Sequence, residues 1–312
     1  MLNHKPKVSV IICTHNPRRS YLTRVLHALR KQTLALSDWE LVLVDNASSN
    51  ELASWVDISW HPRSRVVVES VLGLTPARQR GIAESCADLL VFCDDDNVLA
   101  ETYLEEAFRI AESRPDLGAW GGQLLPDFES EPPEWTRPYW HLLAIGWLEE
   151  DRCSNQHDSN ATPCGAGLCI RRTVVDRYSV MLREDSKRLN LDRRGRSLMS
   201  GGDTDMALTA CDMGLATGLF STLKLQHLIP SQRVTAEYLL AMREAQTFSG
   251  IVLASFRNGG AHRKSSVRVA LEFARAYCLR GMVRRFRLAS LRGELKAYRT
   301  LKTQLSAKNL GN

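Results

Sequence analysis

The first half of the chain alternates short apolar runs, rich in β-branched residues, with segments whose apolar positions recur at helical spacing. This alternation is typical of βα units that build a parallel sheet covered by helices. It predicts strands over residues 8–13, 40–44, 66–69 and 89–93, with helices over 17–30, 75–87 and about 101–113. Because the run at 89–93 is almost wholly apolar, we expect that strand to be covered on both faces.

The second half of the chain is less periodic. Residues 126–163 contain five prolines and three tryptophans, Trp135, Trp140 and Trp147, and this composition predicts a long ordered loop that covers a substrate. Regular structure is expected again at 165–171, in a helix at 203–213, in a strand at 219–225 and in a helix at 233–256. The breaker Asn258-Gly259-Gly260 then places a domain boundary near residue 260.

The net charge of +6 is unevenly distributed along the chain. Residues 263–308 hold 13 Lys or Arg and two Glu, which gives this stretch +11 and leaves about −5 for the remainder. We therefore predict a basic amphipathic helical tail over 261–312, of the kind that attracts anionic lipid head groups. Packing on the protein's own body or on another subunit is the alternative. Because no nucleic-acid recognition motif accompanies the charge, no nucleic-acid partner is expected.

The sequence also favours a cytoplasmic location, with peripheral contact at the inner face of the cell membrane. The N-terminal residues lead directly into the first strand and contain no signal-peptide core. No apolar run approaches the ~20 residues that a membrane-spanning helix needs. The eight cysteines contain no CxxC pair, which argues against a zinc knuckle and against a secreted disulfide framework.

Three consecutive acids, Asp94, Asp95 and Asp96, follow the fourth predicted strand. Carboxylates a few ångströms apart raise one another's pKa unless a positive charge lies among them. Side chains alternate along a strand, so Asp94 and Asp96 are expected to face one site while Asp95 turns away. Their oxygen atoms suit Mg²⁺ or Mn²⁺, and the alternative is a solvated acidic turn that caps the next helix. Thr14 and Asp45 also follow strand ends, at the edge where open α/β sheets bind ligands.

Four segments occur in a characteristic order: VSVIICTHN at 8–16, VDNAS at 44–48, Gly73-Leu74 with Ala77-Arg78, and FCDDD at 92–96. Together they resemble the inverting family 2 glycosyltransferases of the GT-A fold, over roughly residues 7–230. The resemblance implies a Rossmann-like α/β domain with a mainly parallel sheet over 1–260, divided into a nucleotide-sugar half (about 1–122) and an acceptor half (about 123–260). It also implies a hexosyltransferase-type activity that is metal-dependent.

The substrates follow from the same resemblance. The donor is implied to be a nucleotide-diphosphate sugar, with UDP favoured by family habit, and the acceptor a saccharide or lipid-linked hydroxyl in cell-surface polysaccharide or glycolipid assembly. Residues at the strand ends are implied to bind the donor: Thr14, Asn16, Asp45, Gly73, Arg78, Asp94 and Asp95. A polar turn is the alternative role of residues 45–48, and a surface position is the alternative for Arg78. Asp94, Asp96 and His227 match the metal site, although a partly buried histidine is the other reading of His227.

A second acidic motif, SGGDTDM at 200–206, lies where the family commonly has Glu-Asp before a helix. Asp203 matches the base that removes the acceptor proton, whereas Gly202 replaces the Glu, which keeps Asp205 open as an alternative base. A helix cap is the structural alternative for Asp203. The acceptor side is implied to include Gly165, Ala166, Gly167 and Arg233, with Trp135 stacking on a sugar or packing beneath the loop.

Two other functions fit parts of the sequence. A nucleotidyltransferase would also need nucleotide, metal and acids at strand ends, but its first strand usually leads into a glycine-rich loop with a basic residue, whereas this one leads into Thr14-His15-Asn16-Pro17. A non-catalytic sugar-nucleotide-binding or scaffold relative would have lost acids that are present here, and only Gly202 favours it. The sequence therefore predicts an inverting transferase that uses Mn²⁺ or Mg²⁺ and Asp203.

Overall fold

A nine-stranded mixed sheet runs through the computed structural model, which describes residues 4–50, 52–157, 160–195, 197–257 and 265–309. Along the described chain the strands are β1 (Val8–Thr14), β2 (Trp39–Asn46), β3 (Ser64–Glu69), β4 (Leu89–Asp94), β5 (Asn97–Leu99), β6 (Leu117–Phe128), β7 (Arg152–Ser154), β8 (Cys169–Arg171) and β9 (Ala216–Ile229). Their order across the sheet is β3-β2-β1-β4-β8-β6-β9-β5, and β7 pairs with β9 outside this path.

Helices flank the sheet. They are α1 (Arg19–Arg30), α2 (Leu74–Glu84), α3 (Tyr103–Ser113), α4 (Arg172–Glu184), α5 (Gly202–Asp212), α6 (Ala236–Arg257), α7 (Ser266–Tyr277) and α8 (Gly281–Asn309). The α/β architecture with C-terminal helices that the sequence predicts is therefore confirmed. The predicted ends are shifted by a few residues at most helices, and β9 extends beyond both ends of the strand expected at 219–225.

The first four predicted strands form the parallel half of the sheet, in the order β3-β2-β1-β4. Thr14 pairs with Asp45, and Cys13 pairs with Asp94, so β1, β2 and β4 end at the same level. The polar residues that follow these strands therefore lie along one edge of the sheet, where ligands bind in open α/β folds.

Both faces of this parallel half are covered, because side chains alternate along each strand. On β1, Val8, Val10 and Ile12 face a cluster that includes α1 and α3, whereas Ile11 faces a cluster that includes α2, α4 and α5. All four side chains are completely buried. Burial of one such side chain contributes roughly 1.5–3 kcal/mol, so the two clusters hold the strand ends in a fixed position.

The region at 126–163, which the sequence predicts to be irregular, contains more regular structure than expected. It includes the end of β6, a 3₁₀-helix (Glu134–Leu143) and β7. The apolar pattern of β6 is interrupted by glycines and by Pro126, which explains why it escapes prediction. The register of β6 against β9 shifts after Gly122, where an added Cβ would lie 2.0 Å from the Leu223 carbonyl oxygen. This glycine is thus required by a close approach of two strands at a bulge.

The C-terminal extension is helical, as the sequence predicts, but the apolar face of its longer helix is buried. Phe286, Leu291 and Ala297 of α8 are buried, and Phe286 and Ala297 share apolar clusters with residues of α6. The apolar face of α8 therefore packs on the protein's own body, as in the alternative left open above, and is not available to a membrane. The expected breaker at 258–260 lies outside the described residues, so the boundary stays a prediction. No described helix is long and apolar enough to cross a membrane.

Gly122→Ala is expected to lower the free energy of unfolding by roughly 1–3 kcal/mol, since the added methyl group must displace the backbone of β9. Urea unfolding followed by circular dichroism measures the change. The matched control is Gly250→Ala on α6, where an added Cβ meets nothing within 4 Å, and this change should be neutral or stabilise by up to ~1 kcal/mol. Equal stability of the Gly122→Ala variant and the wild type would contradict the close approach.

Candidate active site

A cavity of about 600 Å³ opens at the edge of the sheet where β1 and β4 end. Its walls also include the first turns of α2 and α5, the end of the 3₁₀-helix at 134–143 and one side of α6. The cavity brings together eleven residues that the sequence singles out: Thr14, Gly73, Arg78, Asp94, Asp95, Asp96, Gly165, Ala166, Asp203, His227 and Arg233. Residues from widely separated segments thus line one volume.

The three consecutive aspartates do not follow the strand alternation that we expected. β4 ends at Asp94, and Asp95 and Asp96 form a turn before β5. Asp95 therefore does not turn away: it lines the cavity and accepts a hydrogen bond from the Thr14 hydroxyl group. Because a turn replaces the strand at this point, all three carboxylates reach the cavity.

Burial and mutual repulsion separate the pKa values of these acids. Burial and then the charge of Asp96 raise the pKa of Asp94, and the same two causes raise the pKa of Asp95 to about 7. Burial acts in the same direction on Asp96, but His227 and Arg233 outweigh it and hold the pKa of Asp96 at about 2. Arg78 and Arg193 act to lower the pKa of Asp94, and Arg233 that of Asp95, but they do not offset burial and the charge of Asp96. A cation bound beside these two acids would lower their pKa.

The charge of the whole cavity also favours a bound cation. Five carboxylates line it, from Asp94, Asp95, Asp96, Asp192 and Asp203, against the three guanidinium groups of Arg78, Arg193 and Arg233. With neutral histidines, these groups leave a formal charge of −2. One divalent cation would balance this charge.

The guanidinium group of Arg233 contacts two of the three expected metal ligands, Asp96 and His227. Its Nη1 atom is 2.9 Å from Asp96 Oδ2 and 3.2 Å from His227 Nε2, and these last two atoms are 3.6 Å apart. Within the described ranges, His227 Nδ1 is buried without a hydrogen-bond partner. The same part of the chain contains no group of three or more His, Cys, Asp or Glu arranged to hold a metal ion. The carboxylate and imidazole donors nevertheless fit Mn²⁺ or Mg²⁺ in type, and a cationic group already occupies the space between them.

Asp203 lies in the first turn of α5, with its carboxylate at the cavity wall. Its Oδ2 accepts a hydrogen bond of 2.7 Å from the Gly165 N–H, and its Oδ1 accepts one of 2.8 Å from the Thr204 N–H. A Cβ on Gly165 would lie 2.5 Å from Arg78 Nη2 and 2.9 Å from Asp203 Oδ2. A side chain at position 165 would therefore clash with both groups, so the space between Arg78 and Asp203 requires a glycine there.

Sequence reasoning missed Asp192 and Arg193, which enter the cavity from the loop after a short 3₁₀-helix (Ser186–Asn190). Asp192 Oδ2 accepts hydrogen bonds from Arg78 Nη1 at 2.9 Å and from Thr75 Oγ1 at 3.0 Å. Burial opposes the charge of Arg78, but Asp192, Asp203 and Asp94 together raise its pKa. Arg78 is therefore a buried, paired cation and not a surface residue. The only sequence signal for Asp192 is its place in a polar stretch shortly before Asp203.

Asp45 and Asn16 lie outside the cavity lining and stabilise the loops that follow β1 and β2. The Asp45 carboxylate accepts hydrogen bonds from the backbone N–H groups of Ser48 at 3.1 Å and Leu52 at 3.4 Å. The Asn16 side-chain oxygen accepts one from the Ser49 N–H at 2.8 Å. The polar-turn alternative describes these contacts, and a role of either residue toward a nucleotide base stays a prediction.

Gly167 and Trp135, both expected on the acceptor side, also lie outside the cavity lining. Gly167 has a φ of 72°, and its carbonyl oxygen accepts a hydrogen bond of 2.7 Å from the Tyr103 hydroxyl group. Trp135 is 37% exposed, and its ring lies 6.4 Å from that of Tyr139. The loop that carries Trp135 does border the cavity, but through residues 141–144 instead of its tryptophan.

Asp205, the alternative base that the sequence leaves open, lies away from the cavity. Its side chain is completely buried and does not line the cavity. It lies 2.6 Å from a nitrogen of Arg188 and 2.8 Å from a nitrogen of Arg257. A carboxylate enclosed by two guanidinium groups and absent from the cavity wall cannot contact a substrate there, so Asp203 is the candidate base that the geometry favours.

Comparison with known proteins identifies the class to which this architecture belongs. Residues 9–178, more than half of the chain, match the sequence profile of glycosyl transferase family 2. The chain belongs to this family.

Curated relatives are named as transferases of different substrates. The validoxylamine A glucosyltransferase of Streptomyces hygroscopicus subsp. jinggangensis is 35% identical over 107 residues, which are 33% of this chain and 25% of that protein. The glucosyl-dolichyl phosphate glucuronosyltransferase of Haloferax volcanii is 26% identical over 172 residues, which are 54% of this chain and 53% of that protein. The match spans between a quarter and about half of the length of these relatives.

Solved structures show the same fold over nearly the whole chain. Residues 1–349 of TarS from S. aureus superpose with a TM-score of 0.53 at 13% identity, covering 96% of this chain and 92% of that chain. The same region in complex with UDP-GlcNAc gives a TM-score of 0.53 at 11% identity, with the same coverage. The GT-A fold that the sequence motifs imply is thereby confirmed.

Removal of one partner from a buried ion pair typically lowers the unfolding free energy by ~3–5 kcal/mol. Asp205→Ala is expected to show a loss of this size, because Arg188 and Arg257 would both lose the carboxylate that they share. Asp203→Ala, two residues earlier on the same helix, is the matched control and should change the unfolding free energy by less than about 1 kcal/mol. Urea unfolding of both variants measures the difference, and equal losses would contradict the separate roles of the two acids.

Proposed function

We propose that this glycosyltransferase moves a sugar, with inversion at the anomeric carbon, from a UDP-sugar to a hydroxyl group of a saccharide or lipid-linked acceptor. The observation that carries the proposal is the single cavity that contains Asp203, Arg78 and the carboxylates of residues 94–96. A volume of about 600 Å³ lies within the usual range for small-ligand sites. A base, a cationic group for phosphate and oxygen ligands for a metal thus surround one substrate-sized space.

The donor is proposed to bind at the ends of β1 and β4. Gly73 there has a φ of 145°, and its N–H donates to Asn46 Oδ1 at 2.8 Å, which shapes the entry to α2 without a side chain in the way. Arg78 and Arg193 supply positive charge for a diphosphate. A preference for UDP is supported by the shared fold with TarS, whose structures include complexes with UDP and UDP-GlcNAc.

Asp94 and Asp96 are proposed to hold a divalent ion, with His227 as a third ligand. Mn²⁺ accepts this mixture of carboxylate and imidazole more readily than Mg²⁺. A bound ion would stabilise the charge on the leaving diphosphate. Arg233, which pairs with Asp96 in this structure, is proposed to contact phosphate when the ion takes its place.

Asp203 is proposed to act as the base. Its carboxylate takes the proton of the acceptor hydroxyl group while that oxygen forms a bond to the anomeric carbon. On the opposite face the bond from that carbon to the diphosphate oxygen breaks, and its electron pair leaves with UDP. The N–H groups of Gly165 and Thr204 orient the carboxylate. Burial raises the pKa of the Cys13 and Cys164 thiols at the cavity wall to about 12, so neither competes as a nucleophile.

Titration calorimetry with UDP, GDP and dTDP, with and without Mn²⁺, tests the donor site. We expect UDP to bind in a metal-dependent way. Asp96→Ala is expected to weaken this binding by at least roughly tenfold, or ~1.4 kcal/mol, because it removes a charged ligand of the ion.

Asp203→Asn is the matched control for the calorimetry, since it alters an acid of the same cavity that is assigned to the acceptor. This variant should bind UDP like the wild type while its hydrolysis of a panel of UDP-sugars falls by about 10²–10⁴-fold. A folded wild-type protein that bound no nucleotide, with or without Mn²⁺, would contradict the donor-site assignment.

A lipid-proximal acceptor is supported by the surface of α7. Val267, Leu271, Ala274 and Cys278 are spaced as one helical stripe and are exposed, Val267 by 70% and Leu271 by 53%. Exposed arginines occur on α7, between the two helices and in the first turns of α8: Arg268, Arg275, Arg280, Arg284, Arg285 and Arg287. An apolar stripe with basic neighbours matches the surface of an anionic bilayer, so we propose that this helix contacts the inner face of the cell membrane.

Aromatic contacts connect the start of α8, the helix that follows α7 in the chain, to the segment that borders the cavity. The ring of Phe286 at the start of α8 stacks on Tyr139 with a centroid distance of 3.5 Å, and the exposed ring of Trp135 lies beside Tyr139. The same 3₁₀-helix ends at residues that line the cavity. We propose that a lipid-linked acceptor held at the membrane surface enters the cavity past this 3₁₀-helix.

Flotation with phosphatidylcholine vesicles that contain about one third phosphatidylglycerol, at low salt, tests this contact. Val267→Ser with Leu271→Ser is expected to lower the bound fraction at least tenfold, since a buried apolar side chain contributes roughly 1.5–3 kcal/mol. Met213→Ser, a change at an apolar residue that is 40% exposed after α5, is the control and should not alter binding. Absence of flotation by the wild-type chain would contradict the membrane contact.

A further inference from the structure

We propose that Asp192 is a positioning residue of the transfer site: its carboxylate takes the space that a side chain at Gly202 would occupy, and it holds Arg78 away from Asp203. The inference deepens the proposed function, because it relies on Arg78 serving the donor and Asp203 serving the acceptor. Asp192 belongs to neither the metal site nor the base, and it reaches the cavity from a loop.

The Asp192 carboxylate joins two helices that carry the proposed catalytic groups. Its Oδ2 accepts hydrogen bonds from Thr75 and Arg78 in the first turns of α2, and its Oδ1 accepts one of 3.1 Å from the N–H of Gly202, the first residue of α5. The side chain is only 6% exposed. One buried carboxylate therefore fixes the relative position of α2 and α5, since three donors from both helices converge on it.

The carboxylate of Asp192 and a side chain at position 202 cannot both be present, because they would occupy the same space. A Cβ on Gly202 would lie 2.3 Å from Asp192 Oδ2 and 2.5 Å from Asp192 Cγ. Atoms cannot approach so closely, and a carboxylate carried by residue 202 would occupy almost the same volume. Residue 202, beside the candidate base, is therefore a glycine because the carboxylate of Asp192 fills the space next to it.

Arg78 lies between two acids, and Asp192 decides which of them it contacts. Its Nη1 bonds to Asp192 at 2.9 Å, whereas its Nη2 points toward Gly165 and Asp203. A buried guanidinium group that lost Asp192 would be left near Asp203 as its next anionic neighbour. An ion pair between Arg78 and Asp203 would then occupy the base and remove Arg78 from the donor side.

The loop that carries Asp192 is held on both sides. The Leu74 N–H donates to the Arg193 carbonyl oxygen at 3.0 Å, which ties the loop to the start of α2. Leu191 is completely buried in a cluster with Val252 and Leu253 of α6 and Ala297 of α8. The backbone on both sides of Asp192 is therefore fixed by contacts, which a residue that positions other groups requires.

The test is to move the carboxylate from the loop to the helix. Asp192→Ala is expected to weaken Mn²⁺-dependent UDP binding and to slow UDP-sugar hydrolysis by a combined factor on the order of 10–100. Gly202→Asp alone should also be impaired, because two carboxylates compete for one space. The double variant, Asp192→Ala with Gly202→Asp, is expected to recover at least about tenfold of the lost activity, since the new carboxylate lies at a helix N-terminus and reaches the same donors.

Asp192→Asn separates a loss of charge from a folding defect, because it keeps the shape of the side chain and removes its charge. We expect this variant to remain folded by circular dichroism and to lose UDP affinity in the same direction as Asp192→Ala. Asp176→Ala, at an exposed acid on α4, is the matched control and should change neither property. A purely structural role predicts instead a lower melting temperature with unchanged UDP affinity of the folded protein.

The outcomes distinguish a failure of the proposed function from a failure of the role assigned to Asp192. A wild-type protein that binds no UDP would overturn the proposed function and the role of Asp192 with it. UDP binding by the wild type that is unchanged in folded Asp192→Ala and Asp192→Asn would overturn the role of Asp192 alone. A folded double variant no more active than either single variant would do the same, because the two changes would then be independent losses and not an exchange of one carboxylate.

Discussion

The structure depends on one constraint, which is the negative charge of a single cavity at the edge of a buried sheet. Five carboxylates line this cavity, and three guanidinium groups neutralise part of their charge. Charges in such a place are unfavourable unless they are paired or hydrogen-bonded. Arg233 pairs with Asp96 and Arg78 pairs with Asp192, whereas Asp203 receives two backbone N–H groups. This division leaves Asp94 and Asp95 with raised pKa values, which is the condition that a bound cation would relieve.

The same constraint separates acids that serve the site from acids that serve the fold. Asp203 and Asp205 stand two residues apart in the first turn of α5, yet only the first lines the cavity. Asp205 is enclosed by Arg188 and Arg257 and connects α5 to the end of α6. Backbone N–H groups hold Asp203 at the cavity wall, whereas guanidinium groups hold Asp205 inside the protein.

The helix α6 lines the cavity, and α8 packs against the segment that borders it. α6 contributes Tyr238, Met242 and Gln246 to the cavity wall, and Gln246 donates to the Leu142 carbonyl oxygen at 3.0 Å. Phe286 of α8 stacks on Tyr139, which belongs to the 3₁₀-helix whose last residues line the cavity. The basic residues of this region therefore lie around the packed helix α8, while α7 presents an exposed apolar stripe among the described residues.

The sequence by itself determined the parallel half of the sheet and most of the residues at its edge, because β-branched runs that end in polar motifs reflect strands buried on both faces. It also determined the family, since four ordered motifs lie within the first hundred residues. Tertiary structure alone decided that Asp95 faces the cavity, that Asp205 does not, and that Asp192 meets Arg78 across 114 residues of chain. A turn that interrupts alternation and a contact between distant segments leave no local pattern, so their geometry emerges only when the helices pack.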